Sequence, residues 1–211
     1  MKKRIKNIRG YKIPFRDTWL KNDSISTMTV LSNFLLRIAN WKSLAASFAA
    51  YMLFVGFILK NAEIRINELA GKTVGIIDLT FGFNPQKTLD MVAAYGDAGR
   101  AFYARTEMTA DVAYPIVYAF FFGIILTMLY RNRSSLRFHL LPFAALLFDY
   151  AENVNIVTLL HSYPQQSMTV ATLCEIFKGI KWLIFGAVIL LIVYGLISRL
   201  AARRFVRLRP S

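Results

Sequence analysis

The sequence predicts an all-α membrane protein: a bundle of four transmembrane helices with a folded extracytoplasmic loop between the first two. The chain of 211 residues is 56% hydrophobic and only 18% charged, an apolar excess for a soluble domain of this length. Its apolar residues form four continuous runs, each near the ~20 residues that cross ~30 Å of hydrocarbon as a helix. Strands of a membrane barrel would alternate instead. The predicted spans are 41–59, 112–130, 140–160 and 176–198.

The basic residues are distributed unevenly along the chain. Residues 1–42, 131–137 and 199–211 carry 18 of the 26 lysines and arginines, whereas 60–111 carries six basic and seven acidic residues. This is the positive-inside pattern, and it predicts that both termini and the middle loop are cytoplasmic. No signal-peptide pattern precedes the first span, which favours a bacterial inner membrane protein. A basic charge distributed in this way does not indicate nucleic acid as a partner.

We therefore divide the chain into residues 1–40, a transmembrane domain at 41–198 and a basic cytoplasmic tail at 199–211. The first part is a basic cytoplasmic arm followed by an amphipathic helix over 24–40, because its apolar residues recur at helical spacing. Two placements of this helix remain open. It lies in the inner membrane interface, or it packs on the cytoplasmic face of the bundle.

The loop between the first two spans, residues 61–110, is too long for a plain connection and is predicted to fold as a cap over the bundle. Within it, 73–83 is predicted to be a short strand or extended segment. Asn84 and the proline after it are typical of a helix start, so a short helix is predicted over 86–95. A second helix is expected to run from about residue 97 towards the second span, and Pro115 is expected to kink that helix or restart it.

Polar side chains form stripes on three of the predicted helices. Charged groups inside a bilayer are costly, and they usually face the bundle interior and serve a function. The stripes reach the same depth, near the outer interface, so we expect their side chains to meet there. The candidate ligand-binding residues are Arg100, Tyr103, Glu107, Asp111, Tyr114, Tyr118, Asp149, Glu152, Asn153, Lys178 and Lys181.

Two simpler interpretations of these residues stay open. Lys178 and Lys181 fall within two turns of the predicted end of the fourth span, from which their ammonium groups could extend to water. Asp149 and Glu152 could belong to a buried ion network that only fixes the helix register.

We predict no metal site and no cofactor. The only two histidines, His139 and His161, lie about 33 Å apart along one helix. The single cysteine, Cys174, excludes an internal disulfide and a cysteine-rich metal site. A calcium or magnesium site made only of carboxylates is kept as the weaker alternative, and its ligands would be Glu107, Asp111, Asp149 and Glu152.

Three motifs together resemble a widespread family of small four-span membrane proteins of uncharacterised function. The motifs are GRAFY at 99–103, DVAYPI at 111–116 with Tyr118, and FDYAEN at 148–153. The resemblance covers about residues 75–185 and implies no activity or ligand. A long first loop and a short second loop also resemble the claudin topology, without the tryptophans and paired cysteines of that loop. Sterol isomerases of the emopamil-binding type also have four spans with embedded carboxylates, but their motif does not align here.

The leading functional hypothesis is non-catalytic. The protein would bind a lipid, a small amphiphile or a membrane protein partner, or form a homo-oligomer, through the polar site in the outer leaflet. The alternative is a membrane enzyme in which Asp149 and Glu152 act as acid and base on a lipid-like substrate. A small transporter or proton-conducting protein ranks third, because the inner halves of the spans offer no polar path. An enzyme predicts a pocket with one unpaired carboxylic acid, whereas binding or structure predicts carboxylates fully paired with Lys178, Lys181 or Arg100.

Overall fold

The structure, a computed structural model, describes residues 17–131 and 137–207 and confirms the all-α bundle. No strand occurs within these two ranges. The predicted arm before residue 17, the middle of the basic loop and the last four residues lie outside them. The α-helices are α1 (Asp17–Ile38), α2 (Trp41–Leu53), α3 (Leu59–Ala70), α4 (Pro85–Ala94), α5 (Gly96–Glu107), α6 (Ala110–Tyr130), α7 (Leu141–Ser162) and α8 (Met168–Arg207).

Four helical segments in the described part of the chain are long and apolar enough to cross a membrane. Each extends beyond the apolar run predicted for it, because the helices continue past the hydrocarbon thickness. The first span joins α2 and α3 through a π-helical turn, Phe54–Ile58. We name the segments the first span (Trp41–Ala70), the second (Gly96–Tyr130), the third (Phe138–Ser162) and the fourth (Met168–Ala201).

Helix α6 is the centre of the bundle and contacts α2, α7 and α8. The pairing of α7 with α8 is the most extensive in the molecule. The first span packs on α5 and α6, so it stands on the opposite side of the second span from this pair. This arrangement leaves a gap between the first and fourth spans.

Helix α1 packs on the bundle. Its buried face includes Ser32 and Leu35, and the Ser32 hydroxyl lies 2.8 Å from Nε2 of His139 in the third span. Phe34 meets Phe120 of α6 edge to face. These contacts favour the bundle-packed placement over the interfacial one. The helix also begins at Asp17, ahead of the predicted start at residue 24.

The loop between the first two spans contains a short 3-10 helix, Ile77–Leu79, where a strand was one of the two predictions. The strand prediction was wrong because the backbone of Ile77 bonds within the turn and to side chains instead of to a neighbouring strand, while Ile76 and Thr80 on either side are extended as the other prediction had it. The Ile77 N–H donates to the Tyr103 hydroxyl at 3.0 Å. The helix predicted after Asn84 is confirmed as α4, and the Asn84 side chain accepts from the N–H of Lys87 at 3.0 Å.

Pro115 does not restart the helix, so that one of the two predictions is wrong, whereas the predicted kink stays a prediction. The interruption lies upstream, at Met108 and Thr109, and α6 runs through the proline. A proline cannot donate to the carbonyl four residues before it, here that of Asp111. The Asn153 side chain donates to that carbonyl at 3.2 Å instead. A side chain of the third span therefore supplies the hydrogen bond that the second span lacks.

Candidate functional site

Five carboxylates and one lysine converge in the half of the bundle nearest the loop between the first two spans. Two of the acids come from the middle of α7, two from the junction of α5 and α6, and one from the 3-10 helix of the loop. The lysine comes from α8. The cluster consists of Asp78, Glu107, Asp111, Asp149, Glu152 and Lys181.

Lys181 is 6% exposed and lies among Asp78, Asp149 and Glu152. Its Nζ lies 2.5 Å from Oε2 of Glu152 and 3.2 Å from Oδ1 of Asp149. Oδ1 of Asp78 is further away, at 3.9 Å. A buried charge is tolerated when it is paired, and this lysine is paired with acids from two other elements.

Hydroxyl and amide groups orient three of the acids. The Tyr118 hydroxyl donates to Oδ2 of Asp149 at 2.8 Å, and the Tyr103 hydroxyl donates to Oδ2 of Asp78 at 2.7 Å. Nδ2 of Asn153 donates to Oδ2 of Asp111 at 2.8 Å. Each of these bonds joins two different helices or joins the loop to a helix, so the cluster also fixes the packing.

Within the described chain, Glu107 has no ion pair and a buried oxygen without a hydrogen bond. It is 2% exposed, and no described group donates a hydrogen bond to its Oε2. Oδ1 of Asp78, Oε1 of Glu152 and Oδ1 of Asn153 are also buried and accept no hydrogen bond from the described chain. Unpartnered buried polar atoms are rare in folded proteins, because each costs the desolvation of that group.

A cavity of about 820 Å³ lies against the cluster. Its polar end is formed by Asp78, Glu107, Asp111, Asp149 and Lys181, together with the hydroxyl-bearing rings of Tyr103, Tyr114 and Tyr118. Its other end is apolar and includes exposed side chains of the first and fourth spans, such as Val55 and Leu190. The cavity therefore reaches the molecular surface in the gap between these two spans.

The carboxylates fall into two groups that share Asp78. One oxygen from each of Asp78, Asp149 and Glu152 lies within 4.8 Å of the others, and the same holds for Asp78, Glu107 and Asp111. The first group surrounds the Lys181 ammonium. The second group faces the cavity. Three carboxylate oxygens at such spacing are the arrangement that hard divalent cations use.

Two predicted members of the site lie elsewhere. Arg100 donates to the carbonyl of Val92, pairs with Asp97 and stacks over the Tyr163 ring with its guanidinium 3.8 Å from the centroid. It therefore braces the loop end of the bundle, beyond reach of the five acids.

Lys178 also lies outside the cluster. Its Nζ is 2.5 Å from Oε1 of Glu175 and 2.6 Å from Oγ1 of Thr80. The prediction that Lys178 and Lys181 extend to water is wrong, because they are 2% and 6% exposed. Helix α8 begins at Met168, so both residues lie about three turns or more inside it.

Sequence reasoning missed Asp78 and Glu175. Asp78 stands in a predicted loop, where an acid is ordinarily solvated, and only the fold carries it to the cluster. Its 3-10 helix is held by the Trp182 indole, which donates to the Asp78 carbonyl at 3.2 Å. Glu175 could have been found, because it precedes Lys178 by three residues on a helix.

The loop side of the cluster contains one further buried hydroxyl. Tyr95 is fully buried and donates to the carbonyl of Gly75 at 3.0 Å. Burial raises the pKa of its phenol well above the ordinary value, and the nearby Asp78 and Glu107 raise it further. Tyr95 is therefore a neutral hydrogen-bond donor that holds the loop against α5.

Fold and site together define a class: an all-α membrane-protein bundle with a buried carboxylate–lysine cluster at the end of a lateral cavity. Comparisons with protein-family models, with curated proteins and with solved structures found no match. The likeness to uncharacterised four-span proteins therefore stays a prediction.

Proposed function

We propose that this protein binds a lipid or small amphiphile, with the polar head group at the carboxylate cluster and the apolar chain along the lateral cavity. It acts in a bacterial inner membrane with both termini in the cytoplasm, so that the cavity faces the outer leaflet. The role is that of a non-catalytic accessory or assembly subunit. The observation that carries the proposal is a single cavity that runs from buried charges to exposed apolar side chains of two spans.

The shape and size of the cavity support an amphiphile. Its volume of about 820 Å³ falls within the range of small-molecule sites, roughly 300–1,000 Å³. Along the first span its lining extends from Tyr51 to Ile66, which corresponds to roughly 20 Å at the helical rise. A molecule with a charged head and a hydrocarbon tail matches both ends of this cavity, whereas a fully polar solute matches only one.

The composition of the cluster argues against a purely structural ion network. Lys181 with Asp149 and Glu152 would be enough to fix α8 against α7. Glu107 and Asp111 add two more buried acids, and no described lysine or arginine lies within 4.0 Å of either. Burying such groups without a counter-charge costs stability, so their presence is best explained by something that they bind.

A second candidate, a membrane enzyme, is favoured by Glu107. The expectation that binding leaves every carboxylate paired with Lys178, Lys181 or Arg100 does not hold, because Glu107 and Asp111 form no ion pair within the described chain. An unpaired carboxylic acid that faces a pocket is the feature expected of acid/base catalysis, and Glu107 lines the cavity without a hydrogen bond to its Oε2. The role would then fall to Glu107 rather than to Asp149 and Glu152. These two are held by Lys181 and are less free to exchange protons with a substrate.

The proposal is tested by native mass spectrometry after mild extraction from the membrane. Gly186 lines the cavity, and a Cβ added there meets no atom within 4 Å, so Gly186→Leu reduces the space without a backbone clash. Gly179→Leu is the matched control, because it lies on the same helix with equal room but outside this cavity. We expect a discrete adduct of lipid or metabolite mass on the wild type and the control, and its loss from Gly186→Leu.

A bare protein in all three samples, or an adduct that survives Gly186→Leu unchanged, would overturn the proposal. A stoichiometric protein partner without an adduct would favour an assembly role instead. Conversion of the bound amphiphile by the wild type, absent from Glu107→Gln, would establish the enzyme.

A further inference from the structure

We propose that Asp78, Glu107 and Asp111 form a binding site for one hard divalent cation, of the class of Mg²⁺, Mn²⁺ or Ca²⁺. The inference goes beyond amphiphile binding and does not depend on it. It also departs from the sequence-based expectation of no metal site, since Asp78 supplies a ligand that the sequence placed in a separate loop.

The spacing of the three acids fits a single ion. One oxygen from each lies within 4.8 Å of the other two. Hard cations bind oxygen at about 2.0–2.6 Å, so ligands around one ion are separated by at most about twice that distance. The acids come from the 3-10 helix of the loop, the end of α5 and the start of α6, so an ion there would tie these elements together.

Lys181 distinguishes this group from its neighbour. The ammonium lies 2.5 and 3.2 Å from the carboxylates of Glu152 and Asp149, in the place that an ion between them would take. The nearest such contact to the proposed site is 3.9 Å, to Asp78. Lys181 thus pairs closely with two acids of its own group, whereas in the proposed site it reaches only Asp78 and pairs with neither Glu107 nor Asp111.

Unpartnered oxygens give independent support. Oε2 of Glu107 and Oδ1 of Asp78 are buried and accept no hydrogen bond from the described chain. Two of the carboxylates are held in place by a hydrogen bond to their other oxygen. Tyr103 donates to Oδ2 of Asp78, and Asn153 donates to Oδ2 of Asp111. Outer donors that fix carboxylates while leaving other oxygens free are typical of metal sites.

The site also has room for water. All three acids line the cavity, so water in the cavity can complete the coordination of an ion. Three protein ligands with open positions are a common arrangement for Mg²⁺ and Mn²⁺, which retain water when bound.

The test uses the full chain in detergent, stripped with a chelator and titrated with Mn²⁺ while free ion is followed by electron paramagnetic resonance. We expect one Mn²⁺ per chain, competition by Mg²⁺ or Ca²⁺, and a raised melting temperature. Glu107→Gln and Asp78→Asn should weaken binding at least about tenfold. The control, Glu63→Gln, removes a cavity-lining acid that already pairs with Lys60 at 2.9 Å and should bind normally.

Two further measurements exclude trivial explanations. The metal-free Glu107→Gln protein should melt at about the wild-type temperature, because glutamine keeps the shape of the side chain and no described group donates a hydrogen bond to Oε2 that the change would remove; weaker Mn²⁺ binding is then not a folding defect. Gly186→Leu should lose the amphiphile and keep Mn²⁺, which separates this inference from the proposed function. Absence of Mn²⁺ binding, binding that survives Glu107→Gln, or stabilisation by an alkylammonium amphiphile but not by Mn²⁺ would overturn it.

Discussion

Lys181 shows how strongly the environment decides what one charged residue does. It is buried among three acids from two elements, and two of them approach its Nζ within 3.2 Å. Glu107, a few ångströms away in the same cluster, has an oxygen with no partner in the described chain. One residue is thus paired with acids of the fold, while the other leaves a buried oxygen without a hydrogen bond from any described group.

Replacing Lys181 by methionine should destabilise the protein severely. The change keeps the length of the side chain and leaves Asp149 and Glu152 buried without their cation. Removing one partner of a buried ion pair costs about 3–5 kcal/mol, which thermal unfolding in detergent would measure as a large drop in melting temperature. Lys60→Met is the control, because its pair with Glu63 is solvent-exposed and is worth about 0–1 kcal/mol. An equal melting temperature for both variants would contradict this account.

At the scale of elements, the loop between the first two spans is part of the site and not merely a cover. Its 3-10 helix, Ile77–Leu79, delivers Asp78 to the cluster and is anchored by side chains of α5 and α8. Lys178 joins the loop to α8 through Thr80, and Glu175 accepts from the Thr88 hydroxyl at 2.6 Å. The Lys178–Glu175 pair therefore holds the loop that brings Asp78 to Lys181.

Lys178→Met should release the loop without unfolding the bundle. The variant removes the bonds to Thr80 and to the Ile77 carbonyl and leaves Glu175 buried without its cation. Hydrogen–deuterium exchange should rise across 73–88 and remain at wild-type levels in α6 and α7. Lys87→Met, an exposed substitution in the neighbouring α4, is the control. Unchanged exchange in the loop would mean that the tyrosine and tryptophan contacts suffice to hold it.

The first span lines the cavity with a segment that departs from regular α-helix. Its π-helical turn, Phe54–Ile58, lies where the span lines the cavity through Val55. Single π-turns within α-helices occur frequently at functional sites. No residue in this turn signals it, since FVGFI is an ordinary apolar sequence for a membrane helix.

At the scale of the whole molecule, the gap between the first and fourth spans sets the direction from which the proposed amphiphile would arrive. Both spans present exposed apolar side chains there, so the cavity is open towards lipid. The leaflet in which the cavity lies depends on the orientation of the bundle in the membrane, which the positive-inside pattern predicts.

Cysteine labelling in intact cells would test that orientation. The native Cys174 is buried and is first replaced by serine. Lys72→Cys in the loop and Arg131→Cys at the opposite end of the second span are both exposed positions. A membrane-impermeant maleimide should label position 72 in intact cells and position 131 only after lysis. The reverse pattern would place the cavity in the inner leaflet.

Local sequence was sufficient for the class and for most of the helices. Continuous apolar runs require helices, since a bilayer offers no partner for free backbone groups, and Asn84 with Pro85 defined the start of α4. Burial of Asp149 and Glu152 was also foreseeable, because charges within a span face the protein interior.

Only the tertiary structure decided which charges meet. Arg100 and Lys178 have the helical spacing of site residues but pair elsewhere, whereas Asp78 has no such spacing and lies in the cluster. The break at Met108 and Thr109 and the π-turn of the first span were likewise seen only in the structure. Helical periodicity gives the face on which a side chain lies, and the loop path and the rotation of each helix then determine the partner that it reaches.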